Sequence, residues 1–217
     1  LQIEARENGA EVEARLELRK LTLEIVSHLA DGDATLERLV SEPVPLLRMA
    51  RAGGAAVVLD DQCWTVGDTP APGQIQALAR WISGRGGAHY VTDTLADEFP
   101  PAAEWLNVGA GVLAISISQV HQHPVVWFRP ERVRNVRWAG EPRKLEHASD
   151  GRITPRKSFT AWQEQARGQS EPWTTAEIAA AGELRHALIG IVLRRAEEMA
   201  EVPAELGRVN KELEAFS

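Results

Sequence analysis

The chain has 217 residues, with 24 Lys and Arg against 31 Asp and Glu, a net charge of −7. That length suits one domain, or one domain with an appendage, whose core needs neither disulfide nor metal. The negative balance argues against a generally cationic nucleic-acid-binding protein. A single cysteine, Cys63, excludes a disulfide framework and a Cys-rich zinc site.

No apolar run approaches the ~20 residues of a membrane span, and no signal-peptide pattern opens the chain. Together with the lone cysteine this leads to the expectation of a cytoplasmic protein that does not engage a membrane. Leu1-Gln2-Ile3-Glu4-Ala5-Arg6-Glu7 reads as the inside of a helix, so the sequence is expected to be a piece of a longer protein.

Residues 1–30 form the first predicted helix, with Leu18, Leu21, Ile25 and Leu29 at steps of three and four and Val26 widening the stripe. Asp31-Gly32-Asp33 closes it. A short helix around Leu36, Leu39 and Val40 is expected to be interrupted by Pro43 and Pro45 and to restart at Leu46-Leu47-Arg48-Met49. Gly53-Gly54 opens a strand over 55–59, which turns at Asp60-Asp61 into a returning strand over 63–66. Pro70 and Pro72 precede a helix bearing Ile75, Leu78, Ala79 and Ile82. Past the glycine-rich loop 83–87, a third strand is expected at His89-Tyr90-Val91, then a loop. A fourth strand over 112–118 puts Leu113, Ile115 and Ile117 on one face, and a fifth covers 125–128. This order predicts an α+β sensor-type module with an antiparallel sheet of about five to six strands and helices on one face.

The chain ends in a long predicted helix. Thr174-Thr175-Ala176-Glu177 has capping-box spacing, with Thr174 as N-cap and Glu177 three residues on. Leu184, Leu188 and Ile191, then Val202, Leu206, Val209, Leu213 and Phe216, follow steps of three and four, read as the seam of a parallel dimer. Pro203 is expected to kink this helix or to start a new one.

Residues 129–173 do not fit this scheme. A connection of about 45 residues without its own core is normally functional or disordered. With Trp127 just before it, this one holds Trp138, Trp162 and Trp173. Between 129 and 157 it carries nine cations (Arg129, Arg132, Arg134, Arg137, Arg143, Lys144, Arg152, Arg156, Lys157) against Glu131, Glu141, Glu146 and Asp150. Arginine interleaved with tryptophan favours a partner surface. Its local code is divided. Thr154-Pro155 is a helix start that would put Phe159, Trp162 and Ala166 on one face, whereas Val133 to Trp138 alternates as a strand does. A segment so balanced is switched by a few kcal/mol of differential contact.

Within it, Trp138-Ala139-Gly140, Pro155-Arg156-Lys157-Ser158-Phe159 and Trp162-Gln163-Glu164 resemble the Trp-x-Gly, Pro-Arg-x-Ser-Phe and Trp-x-Glu motifs of the tongue of the phytochrome PHY domain. The resemblance covers nearly the whole chain. Leu1 to Glu7 is similar to the helix leaving the chromophore-binding GAF domain, and Asn210 to Ser217 to the linker before a histidine kinase. It implies a GAF-like fold with four parts: a spine helix at 1–30, a core at 31–128, a tongue at 129–173 and a spine helix at 174–217. It also implies a light-signal relay in a bacterial phytochrome. The tongue, through Trp138, Gly140, Pro155, Arg156, Ser158, Phe159, Trp162 and Glu164, would dock on the upstream PAS–GAF module and refold from hairpin to helix on photoconversion. Arg156 would pair with a GAF aspartate in the dark and Ser158 would replace it in the light. Biliverdin would sit in the upstream GAF domain, and no cofactor would sit in this chain. A kinase would lie downstream, and the terminal helices would join a homodimer.

Other constellations are weaker. His121 and His123 lack a third metal ligand nearby, Cys63 matches no bilin attachment site and reads as a small core residue, and no nucleophile–base set is evident, so the chain is not expected to be an enzyme. Two rival readings are a GAF-like module with its own small ligand and a nucleic-acid-binding arm at 129–157; the −7 charge and the order of the motifs argue against both.

Overall fold

The computed structural model describes residues 2–30, 36–118, 123–132 and 168–215. Five antiparallel strands make one sheet in the order β2-β1-β5-β4-β3: β1 (Gly54–Leu59), β2 (Gln62–Gly67), β3 (His89–Thr92), β4 (Gly111–Ser116) and β5 (Pro124–Arg129). The helices are α1 (Gln2–Ala30), α2 (Pro43–Met49), α3 (Pro72–Arg85), two single turns α4 (Leu95–Glu98) and α5 (Leu106–Gly109), and the 41-residue α6 (Thr175–Ala215). Short 3-10 segments cover Leu36–Val40 and Pro100–Trp105.

The central strands β1, β5 and β4 are buried on both faces because they are apolar at successive positions. Ala55, Val57, Leu113, Ile115, Val125 and Trp127 meet Leu21, Ile25 and Leu29 of α1, Leu46 and Met49 of α2, and Leu184, Leu188 and Ile191 of α6. Ala56, Val58, Val112, Ala114, Val126 and Phe128 meet Ile75, Leu78 and Ile82 of α3, with Leu95, Phe99 and Trp105. The α+β class and antiparallel sheet are as expected. Helices on one face, however, describes only half of the layering, and β4 alternates less in burial than its Leu113-Ile115-Ile117 pattern implies.

Three other local expectations change. Pro43 and Pro45 do not interrupt a helix; they stand in the first turn of α2, where backbone N–H groups lack helical acceptors and proline costs little. The loop expected after β3 contains α4, the 3-10 segment and α5, and buries Leu95 at its start.

 Leu95, Phe99, Ala102 and Trp105 are all buried there, at steps of four and three that Pro100-Pro101 hides from a search for one long helix. Helix α6 continues past Pro203 to Ala215, so no new helix starts at that proline.

Trp127, on the fifth strand expected from sequence, is fully buried at the centre of the sheet. It lies in register between Ala55 of β1 and Leu113 of β4, and its indole N–H donates to the Leu46 carbonyl at 2.9 Å. Small Ala55 leaves room for the indole, and the hydrogen bond ties α2 to the sheet. Trp127→Phe removes the donor and leaves both a void and an unpaired carbonyl. A destabilisation of about 2–4 kcal/mol is expected in urea denaturation, with the m-value unchanged.

Candidate functional site

The arm leaves the fold after β5 and returns before α6, and its two ends are fastened together. Arg132 N–H donates to the Gln169 carbonyl at 2.8 Å and Gly168 N–H to Glu131 Oε1 at 2.6 Å, linking the two limbs directly. Glu131 N–H donates to the Leu106 carbonyl, and Ser170 N–H to the Asp93 carbonyl, each at 2.8 Å. Ser170 is buried against Gly111. A Cβ at Gly111 would lie 2.7 Å from the Ser170 Cβ and collide with its hydroxyl, so glycine is what lets the returning limb seat on β4. The Trp173 indole N–H donates to the Thr92 carbonyl at 3.0 Å.

Behind this root lies a buried guanidinium. Arg129, the last residue of β5, donates from Nη1 to the carbonyls of Glu171 (3.2 Å) and Pro172 (2.7 Å). From Nη2 it donates to the Ala50 carbonyl and to Glu177 Oε1, both at 2.7 Å. The Trp173 ring covers it, 3.8 Å from the guanidinium carbon to the ring centroid. Glu177 Oε1 also accepts from Arg51 Nε at 2.6 Å. Its Oε2 accepts the Thr174 N–H at 2.8 Å, and Glu177 N–H donates to Thr174 Oγ1 at 3.3 Å, which completes the capping box expected from sequence. One carboxylate therefore caps α6 and binds it to β5.

The electrostatics follow from burial and pairing. Burial works to raise the Glu177 carboxyl, but the Thr174 N–H, Arg51 and Arg129 outweigh it and hold it below the ordinary 4.5. Burial lowers Arg129 against the pull of Glu177, and an arginine so placed keeps its charge at neutral pH. Arg51, largely exposed, is raised by its hydrogen bond to Glu177. Its backbone stands at φ +42°, uncommon for a side chain of this size.

The tongue residues expected to dock, Trp138, Gly140, Pro155, Arg156, Ser158, Phe159, Trp162 and Glu164, lie outside the described residues, as does His121. Of the expected seam, Leu184, Leu188 and Ile191 are buried inside this one chain, against α1 and the sheet. They face their own core because α6 crosses the sheet there. Val202, Leu206, Val209 and Leu213 lie on the backbone of α6, with their side chains outside the described set. Arg129 and Trp173, counted as parts of a partner-seeking arm, belong to the folded body, as does Trp127 on the expected fifth strand. His123 lies 3.3 Å from Asp60, and among the described residues no three His, Cys, Asp or Glu gather as a metal site. Cys63 is half-buried on the outer strand β2 rather than central in the core, and burial raises its thiol.

Two features escaped sequence reading. The Arg129–Glu177 pair spans 48 positions and has no local signal. The second apolar stripe of α1, Val12, Leu16 and Leu23, is exposed opposite Leu21 and Ile25; its four- and seven-residue steps are a visible signal that the stronger buried stripe masks.

The lowered Glu177 carboxyl gives stability that is fully present above the ordinary carboxylate range and is lost as the pH falls through it towards the depressed folded value. Glu177→Ala strands the buried Arg129 charge and is expected to destabilise by about 3–5 kcal/mol at neutral pH. Glu177→Gln, which preserves the cap, is expected to cost less and to flatten the acid limb of stability against pH, both read by urea denaturation at stepped pH.

Comparison with known proteins agrees with this architecture. The phytochrome region model, PHY, matches residues 18–197. The chain is 36% identical over its whole length to cyanobacterial phytochrome B of Nostoc sp., and 37% identical to cyanobacterial phytochrome A of the same organism. It spans 29% of the length of each. Among solved structures, the bacteriophytochrome RpBphP3 of R. palustris superposes with a TM-score of 0.66 at 27% identity, over 90% of this chain and 40% of that one. With its five-stranded sheet, long flanking helices and tied arm root, the chain belongs to the phytochrome region (PHY) family.

Proposed function

We propose that this chain relays a light signal from a chromophore-binding module to an output module of a longer phytochrome. Residues 129–173 act as the tongue on a core flanked by spine helices 1–30 and 174–217. Trp138, Gly140, Pro155, Arg156, Ser158, Phe159, Trp162 and Glu164 dock on an upstream PAS–GAF module that holds biliverdin. Arg156 suits an aspartate there because a guanidinium stays charged and grips a carboxylate with two hydrogen bonds. The chain itself does no catalysis and carries no cofactor. Its output is a histidine kinase reached through α6, and the protein is cytoplasmic.

The observation that supports the relay most directly is the root of the arm. Both limbs are fastened to one another, to the sheet and to the start of α6, so force on the arm has a short path to a long helix. An extended residue advances about 3.3 Å and a helical one about 1.5 Å, so refolding ~10 residues shortens the arm by roughly 18 Å. A root that yielded would absorb that change.

In the full-length protein, hydrogen exchange across 141–165 is expected to differ between dark and illuminated states. Identical protection in both would reject the refolding.

We further infer a homodimer through the terminal helices. Leu184, Leu188 and Ile191 are already buried, and the exposed stripe Val12, Leu16 and Leu23 of α1 offers a coiled-coil-like face instead. Leu16→Glu combined with Leu23→Glu is expected to convert dimer to monomer in light scattering while the thermal midpoint of the fold stays within a few degrees; an unchanged dimer would place the interface elsewhere.

A further inference from the structure

Four residues, 171–174, separate buried Ser170 from Thr175, the first residue of α6. Fully extended, four residues reach at most about 13–14 Å, so the link has a fixed limit to the displacement of the returning limb that it can absorb. Beyond that limit, either the first turn of α6 unwinds or the helix moves. Arg129 stands where these outcomes divide. Its Nη1 holds the Glu171 and Pro172 carbonyls of the link, and its Nη2 holds Glu177 in the first turn of α6 and Ala50 at the end of α2. Unwinding that turn would pull Glu177 from both Arg129 and the Thr174 N–H and leave a buried cation unpaired, which makes it the costlier route.

We propose that Arg129 is the positioning residue of the relay: it clamps the first turn of α6 to β5, so that motion of the arm shifts the helix as a body instead of fraying its start. This deepens the relay reading and rests on it. Arginine is needed because a planar fork reaches carbonyls on two segments and a carboxylate on a third at once; a lysine ammonium keeps the charge without that span. Trp173, stacked on the guanidinium, fixes its plane.

The test uses the full-length photoreceptor as wild type, Arg129→Lys, and Arg129→Met combined with Glu177→Gln. The Glu177→Gln change keeps an oxygen that caps Thr174. Photoconversion spectra, hydrogen exchange over 175–184, and the light-to-dark ratio of output activity are measured for each. In the wild type, 175–184 are expected to stay equally protected in both states while output responds to light. In the double variant, photoconversion persists, the output ratio falls about fivefold or more towards unity, and exchange over 175–184 becomes about tenfold faster in one light state only. Arg129→Lys moves both readouts the same way, by less. A merely structural role would loosen the turn equally in both states. A folded variant that keeps the wild-type output ratio overturns the clamp, and Arg129→Lys decides the matter alone if the double variant does not fold. A wild-type protein whose output ignores light overturns the relay reading itself, and the clamp with it.

Discussion

The interaction on which the rest depends is one buried ion pair, Arg129 with Glu177, 2.7 Å apart. Burying two charges is costly, and such a pair adds little net stability over well-packed apolar side chains of the same volume. Its value lies in geometry. The Arg129 fork and the Glu177 carboxylate must both be satisfied, and their partners come from the end of α2, the end of β5, the returning limb of the arm and the first turn of α6. Three regions distant in sequence, near residues 50, 129 and 171–177, are brought to one point because each supplies a group that the pair cannot do without.

The sheet provides the rigid body against which that point is held. Strands β1, β5 and β4 carry apolar side chains on both faces, so helices cover both. Trp127 links the layers on one side, filling the space beside Ala55 and reaching the Leu46 carbonyl of α2. On the same side Arg185 of α6 donates to the Ser116 carbonyl at the end of β4, at 2.7 Å. Helix α6 is therefore fixed to the sheet at its first turn and again about two turns on. Between these ties Leu184 lies fully buried, which favours motion of the helix as a unit over local bending.

The two long helices divide their surfaces between different tasks. On α1, Leu21, Ile25 and Leu29 close the core while Val12, Leu16 and Leu23 face solvent. On α6, Leu184 and Leu188 close the core while Leu193 is exposed. A helix with apolar stripes on opposite faces can pack inward and still pair outward, so a change in how the helices sit on the core reaches whatever covers the outer stripes.

Much of this was legible from local pattern. The five strands and the helix bearing Ile75, Leu78 and Ile82 show in their side-chain period, and the Thr174–Glu177 capping box in the types of residues three apart, so spacing alone reveals them. The three tongue motifs pointed to the family by the same means. Tertiary structure decided what spacing cannot. It put Arg129 and Trp173 in the body rather than the arm, turned Leu184, Leu188 and Ile191 inward, and made Pro43 a helix start. The physical reason is that side-chain type and period say which face of an element is apolar or charged, whereas the partner that face meets depends on how the elements stack, and Arg129 finds Glu177 only after β5 and α6 have crossed.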